Sequence, residues 1–333
     1  MLSVKENFFE TINGGKPDRF VKQYEAFEIL YGDPINRLIN GGARFRGMEP
    51  TVDRWGVTTV WPADQVAAMP DHSSGKIVLD DVSEWRDVVK VPDLDPAKDL
   101  PEWEGFLERV KAVNRDEKLV TAFMTKGIFE QTHALMGFEN ALADMLMDTE
   151  SMIELCEAIS DYKMKYIELY IEKVHPDAIL FHDDWGSKNS LFMSPELWRR
   201  VFKPQYEKIV QYIKDNKILL VFHADSYLEP IVPEMAEMGI DIWQGVLPEN
   251  DIPRLQKELN GSMTLMGGIG AGIVDRPDST EEEIRRETRR ACEEYKDGGY
   301  FIPCLTYGDN KSLYPGVNDI IDDEIDRCSR EMF

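Results

Sequence analysis

From residue 118 onward the chain repeats one pattern, a short apolar run without polar alternation followed by a longer stretch of helical periodicity. The runs are LVTAFM (119–124), DAILFH (177–182), ILLVFH (218–223), IDIWQG (240–245), MTLMGGI (263–269) and YFIPC (300–304). A strand wetted on one face alternates polar and apolar residues, whereas a strand covered on both faces does not, as in a parallel sheet. Between the runs, Met152, Leu155, Ile159, Tyr162, Tyr166 and Tyr170 recur at threes and fours, predicting a helix over 149–175 with one buried stripe. SPELWRRVFKPQYEKIVQYI and TEEEIRRETRRACEEY predict two more, each opened by a capping residue and early acids. Strand and helix in regular alternation require parallel strands joined by crossovers.

Such a sheet is either closed or open. The strands end near Asp184, His223, Gln244, Gly268 and Cys304, 21 to 39 residues apart, and polar residues stand at nearly every one of these ends. Barrels build their sites there from several strands at once, while an open doubly wound sheet concentrates them at one switch point. The chain therefore reads as α/β, a single (β/α)8 TIM-type barrel over 1–333, with regular strand–helix units over 116–333. A length of 333 residues alone would suggest about two domains, but barrels commonly exceed that limit as one unit. Residues 1–115 supply the first barrel elements and a helical and hairpin extension over the pocket. Residues 1–15 read as a helix, PTVDRWGVTTVWPADQVAAMP (50–70) as short strands or a hairpin, and PDLDPAKDLP (92–101) as a proline-broken connection.

Composition narrows the setting. Four cysteines without a C-x-x-C pair argue against a disulfide framework or a zinc ribbon. No signal-peptide pattern opens the sequence, and no apolar stretch approaches the roughly 20 residues of a membrane span. A cytoplasmic location is the expectation. Lys and Arg number 38 against 62 Asp and Glu, a net charge of −24 that disfavours nucleic acid, anionic membranes and polyanionic substrates.

Several motifs invite chemistry. GGIGAG (267–272) has a phosphate-cradle spacing but follows a late strand, so a tight turn accounts for it better than a dinucleotide site. Glu139, Glu154 and His175 offer a zinc-like set, yet Glu154 and His175 lie at opposite ends of one helix, roughly 31 Å apart at 1.5 Å per residue. We reject that trio. FHDDWG (181–186) puts two aspartates at a strand end; neighbours in a strand point apart, so one faces the pocket while the other caps or pairs outside. His223 and Asp225, two apart at the next strand end, could hold a metal, move a proton, bind substrate, or simply finish the strand as a hydrogen-bonded pair.

The run DDWGSKNSLFMSPELWRRVFKPQYEKIV, then FHAD, then GIDIWQGVLPENDIPRLQKELNGSMTLMGGI, and finally GGYFIPC resembles the uroporphyrinogen decarboxylase superfamily, specifically its corrinoid-dependent methyltransferase branch. The resemblance covers roughly residues 118–320. DRWGVTTVWP (53–62) and DVSEW (81–85) look like the members that demethylate methoxylated aromatics. Two departures matter. The arginine-rich loop by which the decarboxylases grip propionates corresponds to PDRFVKQYEAFE here, which has one arginine and three acids. The thiol-alkylating members hold zinc with His-x-Cys and a later cysteine; here Asp225 replaces the first cysteine, beside His223 and Cys304.

The resemblance thus implies a methyltransferase that moves a methyl group from a methoxylated aromatic compound to the cob(I)amide of a separate corrinoid protein. No D-x-H-x-x-G corrinoid signature occurs in the chain, so the corrinoid must arrive on that partner. His223, Asp225 and Asp184 are assigned to catalysis, and His223, Asp225 and Cys304 to a zinc site. Trp185, Trp243 and Tyr307 would sandwich the ring, with Gln244 and Asp183 as further substrate contacts. The alternatives are methyl transfer from methylcorrinoid to a thiol or pterin, a porphyrinogen decarboxylase, and a non-catalytic corrinoid or small-molecule binding protein. A homodimer is one assembly open to it.

Overall fold

The computed structural model describes residues 1–42, 44–65, 67–305 and 313–333. The chain starts with a helix, Val4–Ile12, closed at its N-terminus by a capping box between Ser3 and Glu6. β1 (Phe27–Leu30) opens the principal sheet. The chain then leaves that sheet, and β2 (Thr51–Val52), β3 (Thr58–Val60) and β4 (Met69–Pro70) make a separate antiparallel sheet. It returns at β5 (Leu119–Met124) and β6 (Ala178–His182), followed by β7 (Leu219–His223) and β8 (Ile242–Val246). β9 (Thr264–Ile269) and β10 (Phe301–Leu305) complete it.

The order of the principal sheet is β1-β5-β6-β7-β8-β9-β10, every pairing parallel. Among the described residues the sheet has seven strands rather than the eight expected. Phe27 of β1 lies directly opposite Leu119 of β5, so no strand stands between them; the intervening chain went into the small sheet and short helices. The sheet is curled in the TIM manner. Phe27 on one edge strand and Ile302 and Cys304 on the other belong to one buried cluster with Leu180, Val221 and Ile242. The opposite face, including Phe181, Phe222, Trp243, Leu265 and Phe301, packs against the helical layer. Burial on both faces explains the absence of polar alternation in the runs.

The helix Thr149–Val174 forms as the periodicity predicts; Asp148 caps its first turn and His175 its left-handed end. Glu154 pairs with Arg86 on the surface, so the rejected trio is indeed dispersed. The predicted helix over 194–213 is two helices, Pro195–Val201 and Lys203–Asp215. Pro204 is the reason, because its ring displaces the carbonyl four residues earlier and it lacks an N–H. GGIGAG is no cradle: Gly267 lies within β9, where an added Cβ would sit 2.4 Å from the Val246 carbonyl oxygen. Glycine lets β9 approach the bulged end of β8. No helix among the described residues is long and apolar enough to cross a membrane.

Candidate active site

β6 and β7 end in the same dipeptide, Phe-His, and they end in register: Phe181 opposite Phe222, His182 opposite His223. Alternation turns both phenylalanines toward the helices and both histidines toward the barrel axis. The imidazoles stack, with centroids 4.3 Å apart and planes 17° from parallel. Each is fixed through Nδ1. His182 Nδ1–H donates to Glu130 Oε2 at 3.0 Å, and His223 Nδ1–H donates to Gln244 Oε1. The Nε2 atoms remain for chemistry.

Their anchors set their charges apart. Burial opposes a charge on His182, but the Glu130 carboxylate outweighs it and lifts the imidazole to about 10. Burial likewise opposes the charge on Glu130, yet the His182 partner draws it down to about 2. His223 has only a neutral amide for support, and burial, with the neighbouring His182 charge, pushes it down to about 3. Two cations stacked at this distance would repel by about 4 kcal/mol at an effective dielectric constant of 20. One imidazolium beside one neutral imidazole avoids that cost.

Asp183 and Asp184 point apart, as consecutive strand-end residues must. Asp183 is fully buried and accepts from the Phe129 N–H at 2.9 Å, the Glu130 N–H at 2.8 Å, Trp185 Nε1–H at 3.0 Å, and the Tyr206 hydroxyl. It caps the helix Ile128–Met136, whose N-cap, Gly127, has no side chain to do so. A Cβ on Gly127 would lie 2.1 Å from the Asp183 Cβ, so glycine is required for the aspartate to reach in. Asp183 is therefore a structural cap and not the substrate contact assigned from sequence. Asp184 faces the pocket and accepts from the Asp225 N–H at 3.0 Å. Burial lifts Asp184 to about 6 and Asp225 to about 7; the hydrogen bond between the two carboxyls lowers the first and raises the second.

One ligand atom each from His182, Asp184 and His223 lie within 4.8 Å of one another. Once the ion displaces the Nε2 proton of His182, two imidazoles and a carboxylate make a set that zinc accepts while a coordination position stays open. Glu130 and Gln244, holding the Nδ1 atoms, are the kind of support that orients metal-bound histidines. The residues fit a divalent ion. They are not the set expected: only His223 is common to both, and Asp184 and His182 stand where Asp225 and Cys304 were assigned. Cys304, on β10, lies opposite Gly268 of β9 and three strands beyond β7, and its thiol meets Gln244. Burial raises that thiol well above its usual range, which disfavours a thiolate. Cys304→Ala should accordingly leave bound metal unchanged, measured by elemental analysis; a thiolate ligand would make it fall.

The aromatic assignments change too. Trp185 is fully buried against Trp198, Tyr206 and Phe222. Trp243 is fully buried with its indole N–H on the Ala224 carbonyl at 2.9 Å. Neither presents a ring face to a ligand. Trp243 and Gln244 are neighbours in β8, so only one could face inward, and it is Gln244. Gln244 orients His223, a different task from binding a substrate hydroxyl. Tyr307 lies outside the described residues. Sequence reasoning passed over His182 and Glu130 as functional groups. The repeated Phe-His at the ends of two successive strands was the available signal for the first; nothing local marked the second, which reaches His182 from a different element.

Residues 68–308 match the model of the uroporphyrinogen decarboxylase (URO-D) family. No curated protein matches the chain. Among solved structures, a methyltransferase from Methanosarcina mazei superposes with a TM-score of 0.64 at 13% identity, covering 99% of each chain. At that identity the likeness speaks for the fold.

Proposed function

This chain belongs to the uroporphyrinogen decarboxylase (URO-D) family, and within it we propose a methyltransferase that takes a methyl group from a methoxylated aromatic compound. The acceptor is the cob(I)amide of a separate corrinoid protein, docked over the barrel mouth. The observation that carries this reading is the cluster of His182, Asp184 and His223 beside the Asp225 carboxyl.

Aryl methyl ether cleavage poses one difficulty. The methyl–oxygen bond breaks with its electron pair going to oxygen, and a phenol's pKa of about 10 makes the bare anion a mediocre leaving group at neutral pH. Bound reduced corrinoid supplies the nucleophile for the methyl carbon. Asp225 holds a proton near neutrality and can pass it from its carboxyl to the departing oxygen. His223, neutral with its Nδ1–H held by Gln244, turns the lone pair of Nε2 toward the cluster, where it would serve as a metal ligand. A divalent ion on His182, Asp184 and His223 would polarise the oxygen further. A ligand set of nitrogen and oxygen suits that work better than activating a thiol, which favours soft sulfur ligands. Decarboxylation is disfavoured because a polycarboxylate would have to approach Glu130, Asp184 and Asp225 in a chain of net charge −24. A reducing cytoplasm suits the cobalt(I) acceptor.

Two outcomes test this reading. Phenol should appear from the methoxylated substrate only when reduced corrinoid is supplied; release of carbon dioxide from a porphyrinogen instead would make the chain a decarboxylase. Glu130→Gln should weaken metal binding by roughly 10–100-fold, read by competition with a chromophoric chelator, because the neutral amide no longer supports His182. Unchanged affinity would remove Glu130 from the site.

A further inference from the structure

Apart from the histidines, a small polar cavity of about 30 Å³ lies beside the C-terminal end of β5. Arg44, Lys126 and Lys163 line it, and Asp53 is the one acid among its described walls. Three positive charges thus meet one negative. The lysine contacts are loose: Lys126 Nζ is 3.3 Å from Asp53 Oδ2, and Lys163 Nζ is 3.4 Å from the Thr125 carbonyl oxygen, while Arg44 Nη2 donates to the neutral Asn40 Oδ1 at 2.7 Å. Charge-assisted hydrogen bonds normally close to about 2.7–2.9 Å, and an ammonium has three donors to place. Two more donors have no acceptor at all, the buried Arg44 Nε and Gln131 Nε2, and Gln131 is only 4% exposed. Burial and the Lys126 charge together push Lys163 down to about 8. The methyl-transfer chemistry above uses none of these groups.

A water would satisfy an unpaired N–H but would leave the excess positive charge in place. An anion answers both. We propose that this cavity binds a single carboxylate group, held by Arg44, Lys126, Lys163 and the Gln131 amide. Its volume admits one small group and no more. Gln131 follows Glu130, the residue that fixes His182, and the Glu130 carboxylate acts electrostatically on both Lys126 and Lys163, so the cavity and the candidate active site are close neighbours. The group could be the ring carboxylate of a methoxylated substrate or a free small carboxylate; only the first of these rests on the proposed function.

The test is calorimetric titration of formate and of a methoxybenzoate into the wild-type chain, Lys163→Gln and Arg44→Gln. Formate should bind the wild type and bind each variant roughly tenfold or more weakly, in proportion to a lost charge-assisted contact. Both variants remove a repelled cation and are expected to fold. If formate and the methoxybenzoate exclude one another, the carboxylate arm of the substrate occupies the cavity; if both bind together, the free anion does. Absence of formate binding, or equal affinity in all three proteins, overturns the proposal. No turnover is measured, so a failure of demethylation would leave this result standing.

Discussion

His223→Ala is expected to slow methyl transfer by roughly 10²–10⁴-fold, the size of losing the several kcal/mol that a metal ion polarising the departing oxygen would supply. The substitution removes the neutral Nε2 that faces the pocket and takes one member from the group that could hold a metal. It also leaves the Gln244 amide without its imidazole donor, at a cost of about 1–3 kcal/mol for a buried unpaired group. A domain with the usual stability of about 5–15 kcal/mol tolerates that loss. The variant should therefore keep its circular dichroism spectrum and melt only a few degrees early while losing turnover. A wild-type-like rate in the folded variant would exclude His223 from the mechanism. Gln244→Ala offers a graded companion: the imidazole remains but its orientation is released, so its rate should fall between those of wild type and His223→Ala.

The largest effect on stability is expected one strand away, at a residue that does not touch the substrate. Asp183→Ala strips the acceptor from two backbone N–H groups, one indole N–H and one hydroxyl, all buried. Water entering the space would satisfy some of them. A net loss of roughly 4 kcal/mol or more is expected, about 5–10 °C in Tm for a chain of this size. Burial and the Glu130 charge already push this carboxyl up to about 7, against four donors that favour the anion. Asp183→Asn is therefore no silent replacement: its amide would set N–H against N–H. Loss of the cap also loosens Glu130, whose backbone N–H it holds, and through Glu130 the ring of His182. A thermal melt indistinguishable from wild type would show that the cap is replaceable by solvent.

The architecture was legible because burial leaves a compositional trace. Runs such as ILLVFH carry no polar alternation, and their spacing demands a helix between parallel strands. The eighth strand, absent among the described residues, left no such trace: the segment between Leu30 and Leu119 carries β-branched residues and tryptophans, which fit a small antiparallel sheet as readily as a barrel strand. The site was legible in place but not in membership. Polar residues at the ends of β6 and β7 pointed to the rim where His182, Asp184 and His223 converge, and the opposed directions of Asp183 and Asp184 followed from strand geometry alone. Trp185 and Trp243 were read as pocket walls because they are neighbours in sequence to pocket residues, whereas alternation sends Trp243 outward and Asp183 takes up the Trp185 indole. His182 and Glu130 meet across 52 positions of sequence, a contact that no local pattern encodes.

The central reaction is methyl transfer from an aromatic ether to cobalt. The direct measurement is anaerobic: mix the protein with chemically reduced cob(I)alamin and a panel of methoxylated aromatics, and follow the corrinoid spectrum. Conversion to methylcobalamin with at least one panel member, matched by release of the corresponding phenol and lost in His223→Ala, is the predicted result. An unchanged cobalt(I) spectrum with every member, in the presence of candidate corrinoid proteins as well, would contradict it.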